Sequence, residues 1–148
     1  MTRDPHFVAL ERMYLTAPIN DLYRPAIEVS EASAAIEIPV SEDFFHAAGA
    51  VHGSVYFKML DDAAFFAANS LEREVFVLTT SFTTYLTRPI SSGSMRSVGR
   101  VVNRNRSQFI AEAVAYDSAD REIARGSGIF VRSTIALADA RGYAAPVG

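Results

Sequence analysis

The chain has 148 residues, 49% of them apolar and 21% charged, which suits one domain (residues 1–148) with a substantial core. It has no cysteine, so disulfides, a thiol nucleophile, iron–sulfur clusters and thiolate zinc sites are excluded, and its three histidines (His6, His46, His52) leave little for a histidine metal site. A net charge of −3 at low charge density argues against a nucleic-acid binder, no apolar run is long enough for a membrane span, and Met1–His6 does not read as a signal peptide. A cytoplasmic protein without metal or resident cofactor is expected.

Asp4-Pro5 reads as a helix start, with Asp as the cap and Pro in the first turn. Phe7, Leu10, Met13 and Tyr14 then share one face of a short N-terminal helix over about 4–16, while His6 is expected at the surface. Residues 26–40 read as two short strands or one bent strand, with the turn at Ser30–Ser33. A loop follows through Phe44–Gly53. From Ser54 to Leu71 the composition is helical and apolar nearly all round, so this helix must be wrapped by other structure. Strands are predicted from Val75 to Leu86, Ser97 to Asn103, Phe109 to Asp117 and Ile123 to Val131, spaced as an antiparallel meander. The core thus covers about 26–132, and the Ala/Gly/Pro-rich tail 133–148 is expected to be a loose or partner-contacting end. Helix and strands are segregated, so the class is α+β: an antiparallel sheet around one long helix.

Two features can carry chemistry. Asp61 and Asp62 interrupt the apolar helix, and adjacent helical residues point about 100° apart, so the two carboxylates cannot share one environment. One carboxylate can pair with Lys58 at i,i+4; the other, if buried and unpaired, has a raised pKa. Asp61 is then either a working acid or a carboxylate satisfied by backbone donors. Gly53 stands at the helix start, where free amides and the positive dipole end gather. It is either an oxyanion-stabilising position or a plain turn.

The stretch His46-Ala47-Ala48-Gly49-Ala50-Val51-His52-Gly53-Ser54, followed by Leu60-Asp61 and Ala63-Ala64, resembles the signature of hotdog-fold acyl-CoA thioesterases, nearest to the phenylacetate-degradation (PaaI-like) branch. That signature has a polar residue, commonly Asn, six positions before a His-Gly-Gly and an Asp nine positions after the His. His46 and Asp61 stand at those offsets from His52. Leu78-Thr79-Thr80, Tyr85-Leu86-Thr87-Arg88-Pro89, Gly93 and Gly126–Val131 resemble later parts of the family. The chain departs from the pattern at His46, in place of Asn, and at Ser54, in place of the second glycine. An imidazole can still donate a hydrogen bond to a carbonyl or position water, with a charge that depends on pH.

The resemblance implies a hotdog fold and hydrolysis of an aryl- or medium-chain acyl-CoA thioester. It assigns Asp61 as general base or nucleophile, Gly53 as oxyanion donor, His46 as a carbonyl or water contact and Thr79 as support. Thr79 is otherwise an ordinary strand threonine. Coenzyme A enters only as part of the substrate. His52 and Ser54 are assigned to substrate binding, holding the loop and helix start beside it. Thirteen of the 14 cations are arginine, and residues 75–148 carry 9 basic against 5 acidic side chains. Arg88, Arg104 and Arg106 can meet coenzyme A phosphates, or they are solvated turn residues. Gly53 and Asp61 lie eight residues apart, about 12 Å along a helix axis. Donor and base must both approach one carbon, so one chain cannot readily supply both, and an antiparallel second copy can. A homodimer with shared sites is therefore expected, with a dimer of dimers also open. The same residues admit a hotdog enoyl-CoA hydratase or dehydratase and a non-catalytic acyl-CoA-binding module.

Overall fold

In the computed structural model, which describes residues 2–145, helix α1 (Pro5–Thr16) starts where the sequence places it, with the Asp4 carboxylate accepting from the His6 amide at 2.9 Å. A short helix α2 (Asn20–Tyr23), not anticipated from the sequence, follows, and strands β1 (Ala26–Ser30) and β2 (Ser33–Pro39) form a hairpin, the two-strand alternative of the sequence reading. Helix α3 (Gly53–Ser70) then leads into β3 (Val75–Leu86), β4 (Ser94–Arg104), β5 (Gln108–Tyr116) and β6 (Glu122–Ala136). No helix among the described residues is long and apolar enough to cross a membrane.

The six strands form one antiparallel sheet in the order β1-β2-β4-β5-β6-β3. This is the helix-wrapping hotdog arrangement implied by the resemblance. Strands β4, β5 and β6 are the expected meander, but β3 is not part of it. It lies at the far edge of the sheet beside β6. The crossing from β3 to β4 passes the start of α3, where the Tyr56 hydroxyl donates to the Arg88 carbonyl (2.9 Å) and the Val51 amide to the Ile90 carbonyl (3.0 Å).

Helix α3 is buried because the strand positions beneath it are small or apolar: Ala34, Gly99, Ala111, Ala113 and Ala115 alternate inward on β2, β4 and β5. Met59, Leu60, Ala63, Ala64, Ala67 and Ala68 of α3 are fully buried against the core. Lys58, Asp61 and Asp62 occupy the helix's other flank, toward α1 and β3.

Two further expectations are corrected. His6 is 5% exposed rather than at the surface: its Nε2 meets the Asn69 carbonyl (2.8 Å) and its Nδ1 the Tyr143 hydroxyl (2.7 Å). A polar ring buried on a helix face is tolerable because both nitrogens are satisfied. The tail is not loose over the described residues. Strand β6 runs on to Ala136, Leu137 is fully buried, and the Arg12 guanidinium binds the carbonyls of Gly142 and Tyr143. Composition alone missed these contacts, since each is made with a distant element; residues 146–148 lie outside the described residues. Strand β3 does not keep one alternation. A register shift between Thr79 and Ser81 leaves Thr80 as an extra residue opposite Phe130 and Ile129 of β6. Such a bulge reverses which side chains face inward. Val77 and Thr79 point toward α3 before it, and Phe82, lying over Gly126 and Gly128, does so after it.

Candidate active site

The loop before α3 is held as a tight hairpin. The His46 amide donates to the Ala50 carbonyl (2.9 Å), the Gly49 amide to the His46 carbonyl (3.0 Å), and the His52 amide to the Phe44 carbonyl (2.8 Å). Gly49 has φ of 84°, a left-handed turn conformation that a side chain disfavours. His46 is exposed at the tip, and its Nδ1 accepts from the Ala48 amide at 3.1 Å. An accepting Nδ1 places the hydrogen of the neutral ring on Nε2, so the outer edge of His46 is a donor.

His52 is the cap of α3. Its Nδ1 accepts from the Ser54 amide (3.0 Å) and lies 2.8 Å from the Ser54 hydroxyl. The Val55 amide is occupied too, donating to the His52 carbonyl at 3.0 Å. The amide of Gly53 has no such acceptor among the described residues. Capping therefore consumes the neighbouring donors and leaves this one at the positive end of the helix. His52 and Ser54 together hold the helix start.

Asp61 projects from the middle of α3, half-buried, and accepts a hydrogen bond from Thr79 Oγ1 at 2.8 Å. Burial pushes its pKa up to about 6; the Thr79 bond opposes the rise, the neighbouring Asp62 charge adds to it, and Lys58 reduces it. Asp62 points elsewhere, as helix geometry requires. Its Oδ2 takes Lys58 Nζ at 2.5 Å and the Tyr14 hydroxyl at 2.7 Å. Asp61, Thr79, Lys58 and Asp62 line a cavity of about 310 Å³, walled chiefly by Phe65, Phe66, Phe76, Leu78, Met13 and Ile19. An apolar cavity with a few convergent polar groups is the usual form of a small-molecule site. Replacing Thr79 by Val should lift the Asp61 pKa above about 6, because the bond that favours the charged form is gone; a ¹³C-carboxyl NMR titration reads it.

The sequence-predicted residues fall into separate groups. Asp61 and Thr79 meet in the cavity. Gly53, His46, His52, Ser54 and Arg88 gather at the start of α3, where Tyr56 in the first turn of the helix holds Arg88 by its carbonyl. Arg104 sits beside Leu71 and Ala32 near the end of α3, and the Arg106 carbonyl is bonded by Arg132 in the β4–β5 turn. A helix of 18 residues is about 27 Å long, so Arg88 cannot share one phosphate group with Arg104 or Arg106 of its own chain. Two contributors escaped sequence reasoning. Tyr14 reads as a packing residue of α1, and only the docking of α1 on α3 turns its hydroxyl onto Asp62. The bulge at Thr80 carries no special residue type that would announce it. No group of three His, Cys, Asp or Glu side chains among the described residues is placed to hold a metal ion.

A carboxylate on the wrapped helix thus faces an edge strand and an apolar cavity. The sequence profile of the thioesterase superfamily matches residues 48–124, just over half of the chain, and the chain belongs to that superfamily. The match spans the second half of the loop, α3, β3, β4, β5 and the start of β6. The fold is similar to that of the PaaI protein of the Escherichia coli phenylacetic acid degradation operon, with a TM-score of 0.79 and 16% identity over 90% of this chain and 99% of that one. It is also similar to a thioesterase family protein from Silicibacter pomeroyi, with a TM-score of 0.75 and 22% identity over 83% and 96% of the two chains. A candidate esterase from Mycobacterium tuberculosis gives 0.74 and 25% over 79% and 97%. Among curated proteins no sequence match is found.

Proposed function

We propose that this protein is a cytoplasmic, single-domain acyl-CoA thioesterase acting on an aryl- or medium-chain acyl group, with no resident cofactor. The observation that carries the reading is the Asp61–Thr79 pair: a half-buried carboxylate, raised to about 6 and oriented by one hydroxyl, at an apolar cavity of about 310 Å³. That volume suits an aryl ring or a medium acyl chain. A carboxylate with a pKa near the working pH is a stronger base than an ordinary surface aspartate, yet still ionised at neutral pH. With water as nucleophile, Asp61 takes a proton from it as oxygen attacks the thioester carbon. The free Gly53 amide holds the developing oxyanion, and the Nε2–H of His46, from the loop that leads into α3, is the candidate second donor. The carbon–sulfur bond then breaks, and the leaving thiolate of coenzyme A takes up a proton. Direct attack by Asp61 makes an anhydride that water must open. Both routes need the ionised carboxylate.

One chain keeps Gly53 and Asp61 too far apart along α3 for this chemistry. Strand β3 ends the sheet with an unpaired edge, and Leu78, Tyr85 and Leu86 on it, with Phe57 of α3, are exposed apolar residues. Such an edge is a template for pairing with another chain. Antiparallel pairing with a second β3 sets two α3 helices side by side in opposite directions, with Gly53 of the partner subunit near Asp61. It also lets Arg88 of one chain approach Arg104 and Arg106 of the other, where phosphates of the substrate can be met. The assembly proposed is a homodimer, with pairing of dimers open.

The deciding experiment incubates the purified protein with a panel of aryl- and medium-chain acyl-CoAs and enoyl-CoAs and measures free thiol. Thiol release from one or more saturated or aryl thioesters supports hydrolysis. Loss of the enoyl chromophore without thiol shows a hydratase instead. Ligand-dependent thermal stabilisation without either product shows a binding module.

A further inference from the structure

Lys58 is the chain's only lysine, and it stands three residues before Asp61 and four before Asp62. Both offsets bring a lysine within reach of a carboxylate on the same helix. The structure shows it committed to one of them. Lys58 Nζ bonds Asp62 Oδ2 at 2.5 Å, and the Tyr14 hydroxyl donates to the same oxygen at 2.7 Å. The ammonium also lies 5.2 Å from the Tyr14 ring centroid and 5.0 Å from that of Tyr23, within cation–π range of both. The Lys58 and Asp62 side chains are only 14% and 18% exposed. Asp61, the adjacent carboxylate, bonds Thr79 and not Lys58.

We infer that Asp62, fastened by Tyr14, is a positioning residue that holds Lys58 away from Asp61 and so keeps Asp61 without a cationic partner. The inference rests on the proposed thioesterase reading only for its catalytic meaning; the geometry stands without it. A lysine paired directly with Asp61 would stabilise the carboxylate and make it a weak base. Removing Lys58 altogether would leave Asp62 unpaired beside Asp61, and two like charges would drive Asp61 toward its neutral form. The Lys58–Asp62 pair balances these two outcomes. The groups that face Asp61 are few: Lys58 and Asp62 from α3, the Thr79 hydroxyl from β3, and the phenol of Tyr14 from α1. Burial and the Asp62 charge push the Tyr14 phenol well above its ordinary value, so it stays neutral and donates. No other charged side chain among the described residues lines the cavity.

The test is a ¹³C-carboxyl NMR titration of the full chain, with the Asp61 signal assigned by its loss in Asp61→Asn. In Asp62→Asn the amide keeps a contact for Tyr14 but no charge for Lys58, whose nearest carboxylate is now Asp61. The Asp61 pKa should fall by about one pH unit or more. In Lys58→Met it should rise above the wild-type value. The double variant, with neither charge, should return toward wild type, which shows that the fall comes from the relocated lysine and not from the loss of Asp62's repulsion. The inference is overturned if Asp62→Asn leaves Asp61 where it was, or if the double variant keeps the full fall. Tyr14→Phe leaves every charge in place and loosens only the fastening. It should lower the Asp61 pKa by a smaller amount; if Asp62→Asn does not fold, an unchanged Asp61 pKa in Tyr14→Phe overturns the inference in its place. Where the protein releases thiol, the acid limb of its pH–rate profile moves with each titration. If the wild type releases none, the functional reading fails while the titration still decides this one.

Discussion

Asp61→Asn should reduce thiol release by about 10²- to 10⁴-fold, the span ordinarily supplied by a positioned base, while leaving the fold intact. Asparagine keeps the shape of aspartate and its Oδ1 can still accept from Thr79, so the bond to β3 survives and only the charge is lost. The loss should fall on kcat, because the cavity walls that bind the acyl group are untouched. The same variant should also be the more stable protein at neutral pH. The Asp61 carboxyl has a pKa near 6 in the folded chain against an ordinary value of 3.8, so the folded state binds the proton more tightly than the unfolded one. Its contribution to stability is therefore present below about 4 and is lost as pH rises toward 6; above that, the ionised carboxylate weighs against the fold. Melting curves at pH 7.5 should show Asp61→Asn melting above wild type, and at pH 4 the gap should close. A variant that kept full turnover, or that melted lower at pH 7.5, would remove Asp61 from its assigned role.

That stability cost explains how much of the site the sequence discloses. An aspartate in a helix that is apolar all round conflicts with burial, and such conflicts mark working residues. Asp61 is legible for this reason; α1, α3 and the strand segments are legible because hydrophobic period and turn chemistry agree along the chain, whereas the four-residue α2 is too short to show a period. What stays hidden depends on pairs of distant residues. The place of β3 at the sheet edge follows from how the segment Thr87–Gly93 crosses α3. The burial of His6 depends on Tyr143, 137 positions away. The bulge at Thr80 has no composition of its own, yet it allows Thr79 to face Asp61 and Phe82 to pack on Phe57 of the same helix. An unbroken strand counted inward from Thr79 would turn Phe82 outward.

The approach of α3 to the sheet sets the second large effect, at Gly99. This residue of β4 faces the middle of α3, between Ala34 of β2 and Ala113 of β5. A Cβ there would stand 2.3 Å from the Ala63 backbone carbon and oxygen and 2.6 Å from the Ala64 nitrogen. Those atoms belong to a helix backbone and cannot turn aside as a side chain can. Gly99→Ala must therefore lift α3 by about 1 Å or bend β4, against a core packed near crystal density. Overpacking of this kind costs about 3 kcal/mol, which for a chain of this size lowers the melting temperature by roughly 6–12 °C. Asp61 and Ala63 lie on the same stretch of α3, so the lift also parts Asp61 from Thr79, and turnover should fall along with stability. Ser97→Ala, two residues away on the same inward face, is the matched control. The Ser97 hydroxyl is fully buried with no partner among the described residues, so deleting it should leave the melting temperature unchanged or raise it. If both variants destabilise alike, the sensitivity belongs to β4 in general; if only Gly99→Ala does, the helix-to-sheet distance is what the glycine protects.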